Sequence, residues 1–272
     1  VTLILISNMS YGNSNNINDD LFSLDSLLNM EISTASKYDQ ELRDVPASVA
    51  IVTDEDMLKY GYETISDVLN SLPGFYTSND RNYTYTGVRG FSRPTDYNNR
   101  ILILLDGHKL NEKFFGSVDT GTEMGGIDLN LLERIEIIYG PGSVLYGTGA
   151  MFAVINLISK EGKALDGIEA LARFGSFGLK GGNFSYGKQI NEKFSVLLSV
   201  VGRDHIGEDL FFDEYDDPET NNGIAQDLDR DTYYGSRLEL SFSNLRFSIL
   251  GTSRRKSIPT AAWDMAFNQG DP

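Results

Sequence analysis

From Gly167 to about Thr252 the chain runs on a two-residue hydrophobic period, which commits it to half-buried strands. In "GIEALARFG", Ile168, Ala170, Ala172 and Phe174 fall on one face, with Glu169 and Arg173 on the other. "GNFSYG" sets Phe184 and Tyr186 opposite Asn183 and Ser185, and "KFSVLLSVVGR" sets Phe194, Val196, Leu198 and Val200 against Ser195 and Ser199. "SRLELSF" divides Leu238, Leu240 and Phe242 from Arg237, Glu239 and Ser241, and "LRFSILGT" divides Leu245, Phe247 and Ile249 from Arg246 and Ser248. Five strands thus succeed one another with no helical pattern between them. The second and third meet at Asn191-Glu192 and the fourth and fifth at Ser243-Asn244, while the third and fourth are separated by a polar excursion from Asp204 to Asp231. Alternate turns of an up-and-down meander lie at the same end, so the tight turns share one end and the long loop takes the other. Short turns at one end, long polar loops at the other and alternating faces are the pattern of a transmembrane β-barrel. A soluble meander accounts for the alternation but not for the asymmetry of the loops.

Composition narrows the choice further. A net charge of −16 argues against nucleic acid, which needs a basic surface. The absence of cysteine rules out disulfides and thiolate metal sites. No run approaches the roughly 18 apolar residues of a spanning helix, which leaves a barrel open. The N-terminal "VTLILISNMS" reads either as the remnant of a secretory signal or as an apolar end. Residues 1–46 are a polar, acidic extension with one helical patch at Leu21, Leu24, Leu27 and Leu28.

Residues 47–162 have the texture of a compact α+β unit, and residues 163–272 hold the alternating strands. "SVAIVT" predicts a strand ending at Thr53, which has capping-box spacing with Asp56 for a helix over Asp54–Tyr60. A second helix, "ISDVLNSL", comes after Thr64 and is closed by Pro73-Gly74. "ILILLDG" predicts a strand buried on both faces and ending in an Asp106-Gly107 turn, with further strands at "RIEIIYG" and "AVINLIS".

Nothing in this pattern assembles a catalytic constellation, so an enzyme is not expected. "GPGSVLYGTG" lacks the Gly-Lys-Ser/Thr ending of a phosphate loop and reads as a compact hairpin-like turn. His108 and His205 lie in different regions and predict no metal site or dyad. "DEYDDPE" lacks the ligand spacing of a calcium loop and reads as a solvated acidic loop. "NDRNYTYTG" (79–87) and "SRPTDYNNR" (92–100) gather Tyr, Asn and Arg, which suits recognition of a polar ligand as well as an ordinary surface loop.

"LLERIEIIYGPGSVLYGTGAMFAVINLISK" resembles the plug domain of TonB-dependent outer-membrane receptors. The preceding motifs agree in order: "VPASVAIVTDEDM", "ISDVLNSLPGF", "VRGF" and "ILILLDGHKLN". The resemblance implies an α+β plug followed by antiparallel strands of a transmembrane barrel of about 22 strands, of which this chain holds the first five or so. It implies import across the outer membrane of a scarce small molecule such as a metal–siderophore chelate or cobalamin, without a cofactor. The expected partners are the ligand, outer-membrane lipid and the inner-membrane protein TonB. On this basis Arg81, Asn82, Tyr83, Tyr85, Asp96, Tyr97 and Asn98 are expected at the ligand. Met30, Glu31, Ile32, Ser33, Thr34, Ala35 and Ser36 are expected to engage TonB. Arg89, Glu133, Arg134 and Glu136 are expected in ion pairs within the plug or between plug and barrel, although Tyr139 stands where family members commonly carry Arg. A receptor or adhesin of the same architecture that does not transport, and a soluble periplasmic α+β binding module, are the alternatives.

The row Phe194, Val196, Leu198 and Val200 faces lipid on this reading. Leu198→Arg in the complete gene product should then cost roughly 2–4 kcal/mol near the bilayer midplane, measured by reversible folding into vesicles. Parent-like stability would place the row elsewhere.

Overall fold

The computed structural model describes residues 3–6, 31–32, 34, 40–44, 47–93, 95–121, 127–262 and 266–268. Three short strands come first: β1 (Leu3–Ile6), β2 (Glu31–Ile32) and β3 (Gln40–Glu41). The α+β unit contains β4 (Ser48–Thr53), α1 (Asp54–Tyr60), α2 (Ile65–Ser71), β5 (Phe75–Asn79), β6 (Thr84–Val88), β7 (Ile101–Leu105) and β8 (His108–Lys109). It continues with β9 (Leu132–Tyr139), α3 (Ser143–Tyr146) and β10 (Ala153–Ser159). After α4 (Gly162–Leu165) come β11 (Gly167–Phe174), β12 (Lys180–Asn191), β13 (Phe194–His205), β14 (Leu210–Phe211), β15 (Ile224–Ala225), β16 (Asp231–Phe242) and β17 (Leu245–Lys256). The helical patch expected at Leu21–Leu28 lies outside the described residues.

The sheet of the α+β unit has the order β4-β9-β10-β7-β8, with only β10 and β7 parallel among its pairs. β7 lies inside it and is buried on both sides, as its unbroken apolar run requires. Ile101 and Ile103 join the larger core with Val52, Met57, Val68, Leu69, Ile135 and Ile155, whereas Leu102 and Leu104 pack on the other face with Ile138, Ala150 and Val154. Both helices over the larger core begin with reciprocal caps. Thr53 accepts from the Asp56 amide and Asp56 from the Thr53 amide, and Thr64 and Asp67 repeat the pattern.

Two tight turns explain two of the sequence motifs. Arg89 (φ 52°) and Gly90 (φ 84°) connect the bridged pair Val88 and Phe91, and Asp106 (φ 49°) and Gly107 (φ 79°) connect Leu105 to His108. Positive φ at both central residues suits the right-handed twist of the flanking strands and favours Asp-Gly or a residue followed by Gly. The sequence reading of residues 79–87 as a loop is corrected by the β5–β6 hairpin, in which all of β6 is buried. The Gly-rich "GPGSVLYGTG" contains one helical turn rather than a simple hairpin connection.

The second sheet is antiparallel in every pair, in the order β1-β11-β12-β13-β16-β17. Its five longer strands are those read from the sequence, and Leu3–Ile6 adds a sixth against β11. The face toward the α+β unit is polar: Asn183, Ser185, Ser195, Ser199, Arg237 and Glu239 are buried there beside Leu197 and Val201. Phe184, Leu198, Val200 and Tyr234 stand exposed on the opposite face. β12–β13 and β16–β17 are joined by two-residue turns, and the long connection between β13 and β16 carries the small β14–β15 hairpin.

Asn111 ties the edge of the α+β sheet together. Its carboxamide accepts from the Ile103 amide and donates to the carbonyls of Ile101 and Gly116, each at 2.9 Å. Asn111→Ala strands buried backbone groups and should lower stability by about 3 kcal/mol, read as a fall in urea midpoint with an unchanged slope.

Candidate functional site

The α+β unit presents different chemistry at its two ends. One end lies beside the long β13–β16 connection, because Arg81 reaches Glu208 at 3.4 Å and Asp229 at 3.2 Å. A cavity of about 650 Å³ opens there, walled by Tyr83, Asp96, Tyr97, Glu112, Phe115 and Val118 among others. Tyr83 meets Tyr97 edge-on with ring centroids 5.1 Å apart, and Tyr97 lies 6.0 Å from Tyr85. The neighbouring arm carries Phe114 and Phe115, both strongly exposed and packed edge to face. Glu112 holds the base of this arm by accepting from the amides of Phe114 and Phe115. The Phe115 and Phe114 amides also hold the Glu112 carboxyl below its usual range. A wide cavity with aromatic walls and a few polar groups can enclose a small molecule of mixed polarity.

The residues expected at a ligand divide between lining and support. Tyr83, Asp96, Tyr97 and Asn98 line the cavity. The Asn98 carboxamide is fully engaged by the Thr86 amide and the Thr84 and Val118 carbonyls, so it shapes the wall. Tyr85 is buried and its hydroxyl donates to Asp80 at 2.9 Å; burial, followed by that bond, raises its pKa. Asn82 is buried, and Arg81 faces Glu208 and Asp229 rather than the cavity. Asp229 also receives Lys256 at 2.7 Å, so a single buried carboxylate joins the Arg81 loop to the strand sheet.

The opposite end lies beside the short turns of the strand sheet and is held by charge. Arg237 donates to Asp106 at 2.9 Å, to the Ser159 hydroxyl at 2.7 Å and to Glu239 at 2.7 Å. Asp106 also accepts from the Ser159 amide at 2.8 Å and hydroxyl at 2.7 Å. Arg246 adds ion pairs to Glu239 at 3.4 Å and Glu161 at 2.9 Å. On the adjacent strands Glu136, fully buried, takes Arg134 at 2.9 Å and accepts from the Thr34 hydroxyl. Thr34 is buried as well: its hydroxyl accepts from Asn156 at 2.9 Å and its carbonyl from the Tyr146 hydroxyl at 2.7 Å.

Of the expected ion-pair residues, Glu133, Arg134 and Glu136 come together, with Arg134 bridging the two carboxylates. Arg89 departs from the expectation. Among the described residues its guanidinium lies over the Tyr139 ring, 5.8 Å from the centroid, where the aromatic face attracts the cation. Glu31 and Ile32 form β2 against β3, and Thr34 is docked as above. Met30, Ser33, Ala35 and Ser36 lie outside the described residues. The sequence reading missed Arg237, Glu239, Asn156 and Ser159. The available signal was charge placed on the polar side of an alternating strand, at Arg237 and Glu239.

Residues 41–154 match the family model described as the TonB-dependent Receptor Plug Domain. They are a TonB-dependent receptor plug. The chain is 30% identical over 157 residues to the vitamin B12 transporter BtuB of Vibrio vulnificus, covering 57% of this chain and 24% of that protein. It is 34% identical over 133 residues to the iron-regulated outer membrane virulence protein of Vibrio cholerae, covering 48% of this chain and 20% of that protein. The chain therefore spans about a quarter or less of these relatives. The fold is similar to that of the ferripyoverdine receptor of the outer membrane of Pseudomonas aeruginosa, with TM-score 0.60, 19% identity and coverage of 83% of this chain and 27% of that one. It is likewise similar to the ferric-catecholate import receptor Fiu of E. coli K12, with TM-score 0.56, 21% identity and coverage of 79% and 28%. In this family the plug belongs to receptors rather than enzymes, in keeping with a site made of cavity walls and ion pairs.

Arg237 is the plug's main charged anchor on the strand sheet. Arg237→Met removes the buried cation and leaves Glu239 and Asp106 only the more exposed Arg246, at 3.4 Å and 3.9 Å, and should cost about 3 kcal/mol. Asp106→Asn, which keeps an acceptor, should cost less. Urea unfolding of the two variants against the parent checks the order.

Proposed function

We propose that the protein is a TonB-dependent outer-membrane transporter that imports a scarce small molecule, a metal–siderophore chelate or a cobalamin. In this reading residues 47–162 are the plug, and residues 163–272 contribute the first strands of a closed barrel of about 22 strands whose outer face meets lipid. Residues 1–46 form a periplasmic extension that carries the segment engaged by TonB, Met30–Ser36.

The observation that carries the reading is the plug's polarity. An aromatic-walled cavity lies at the long-loop end, and Thr34 of the N-terminal segment is docked at the short-turn end of the same sheet. A transporter powered from the opposite side of the membrane needs this separation, with ligand received at one end and force applied at the other. The long loop then lies on the extracellular side and the short turns on the periplasmic side. The vitamin B12 transporter and siderophore receptors among the similar proteins support the ligand class. Tyr83, Tyr97 and Asp96 supply the contact surface, and Arg81, Tyr85, Asn82 and Asn98 hold that surface in place.

Coupling by the N-terminal segment is expected to proceed by strand addition. Ile32 already lies in extended backbone paired with Gln40, and an extended segment can exchange that partner for a strand of TonB.

Two sets of variants test the proposal in the complete gene product. Tyr83→Ala and Tyr97→Ala should weaken binding of the transported ligand about tenfold or more without altering plug stability, since each removes an aromatic face from the cavity. Unchanged affinity in both would move recognition to the barrel loops. Ile32→Pro removes a backbone donor and fixes φ, so it should abolish uptake while leaving ligand binding intact. Uptake at the parent rate would exclude coupling through this segment.

A further inference from the structure

Asn156 lies in the plug sheet between the N-terminal segment and the Asp106 turn, and it is 3% exposed. The two ends of its carboxamide serve different elements. Nδ2 donates to the Thr34 hydroxyl at 2.9 Å, and Oδ1 accepts from the Gly107 amide at 3.0 Å. Gly107 completes the turn whose Asp106 carboxylate holds Arg237 of the strand sheet and the Ser159 amide. One amide therefore joins the segment expected to be pulled to the turn that anchors the plug.

Strand register sets the consequence of Thr34 leaving. Asn156 and Glu136 are direct partners across β10 and β9, so their side chains share a face and lie within reach of each other. The Thr34 hydroxyl stands between them, donating to Glu136 and accepting from Asn156. Its withdrawal leaves a buried carboxylate oxygen without that donor and a buried amide without its acceptor, and both losses are costly. The two orphaned groups are complementary, and rotation of the carboxamide toward Glu136 satisfies both. The same rotation draws Oδ1 away from the Gly107 amide. Gly107 is exposed and can turn to water, which frees the Asp106 turn to shift.

We infer that Asn156 is a positioning residue that converts withdrawal of Thr34 into loosening of the Asp106–Arg237 anchor between plug and strand sheet. The inference deepens the proposed function, and it rests on the reading of residues 30–36 as the segment engaged by TonB. It assigns a release step to residues that lie far from the ligand cavity. Plug movement would then result from engagement of the segment, without force having to break the Arg237 pair directly.

The test is amide hydrogen exchange on the complete gene product in bilayers. Thr34→Val deletes the hydroxyl with little change of volume and imitates withdrawal. It should speed exchange at Gly107 and Ser159 about five- to thirtyfold, the range expected when a stabilising contact of ordinary strength is lost. Exchange at Ile103, whose amide is held by Asn111 in the same sheet, should stay at the parent rate, which separates a directed effect from general loosening. Asn156→Leu should speed exchange at the same two amides, and adding Thr34→Val to it should produce no further change, because the connecting amide is already gone. Parent-like exchange at Gly107 and Ser159 in folded Thr34→Val overturns the inference, and so does equal acceleration at Ile103. Full additivity of the two substitutions also overturns it. These outcomes are independent of uptake. If Ile32→Pro imports normally while the exchange pattern holds, the energy-coupling reading fails and the Asn156 connection stands.

Discussion

Arg237 is a guanidinium almost removed from water at the boundary between the plug and a sheet of strands. Such a charge is tolerated only beside opposite charge and acceptors, and here Asp106, Ser159 and Glu239 all gather at its Nη2. The position of the Asp106 turn therefore determines how the plug seats against the sheet. That turn depends in turn on β7, which is buried on both faces and delivers Asp106 at its C-terminal end. The apolar core of the plug and the polar contact with the sheet are thus two ends of one strand.

The contact between plug and sheet is polar rather than apolar. An apolar seam would gain about 25 cal/mol for each Å² of apolar surface removed from water and would resist separation. Hydroxyls, carboxamides and paired charges occupy most of the inward face instead, at Ser185, Ser195, Ser199, Arg237 and Glu239. At the far end the same logic recurs in the Arg81 and Lys256 pairs on Asp229 and in Arg203 on Glu63. A plug held this way is fixed in register by specific polar partners.

Support and contact are divided within the candidate site. Asn98 and Tyr85 spend their polar groups on the plug itself, and Tyr83, Tyr97 and Phe115 supply the aromatic surface facing the cavity. Rigid walls reduce the ordering cost of binding, so in the proposed function these internal bonds serve recognition without touching a ligand. At the opposite end the buried Thr34 of the N-terminal segment docks on Glu136 and Asn156.

Local chemistry in the sequence was enough to determine the alternating strands, the two capped helices, the doubly buried strand at "ILILL" and the Asp-Gly turn. Each rests on periodicity or on residues within four positions of one another, where the physics is local. The order of plug motifs was also legible, because a left-handed turn or a Gly-rich connection leaves its mark in residue type. The β5–β6 hairpin was not legible because its strands are rich in Thr, Tyr, Ser and Asn, and their burial depends on the loops packed around them. Only tertiary structure brought Thr34 to Glu136 and Asn156, Asp106 to Arg237, and Arg89 to Tyr139. It also turned Arg81 from an expected ligand contact toward Asp229. These partners lie far apart in the chain, and a charge in a sequence does not reveal which opposite charge the fold will bring within about 3 Å of it. Which residues can pair was written in the sequence, and which of them do pair was decided by how the plug sheet and the strand sheet meet.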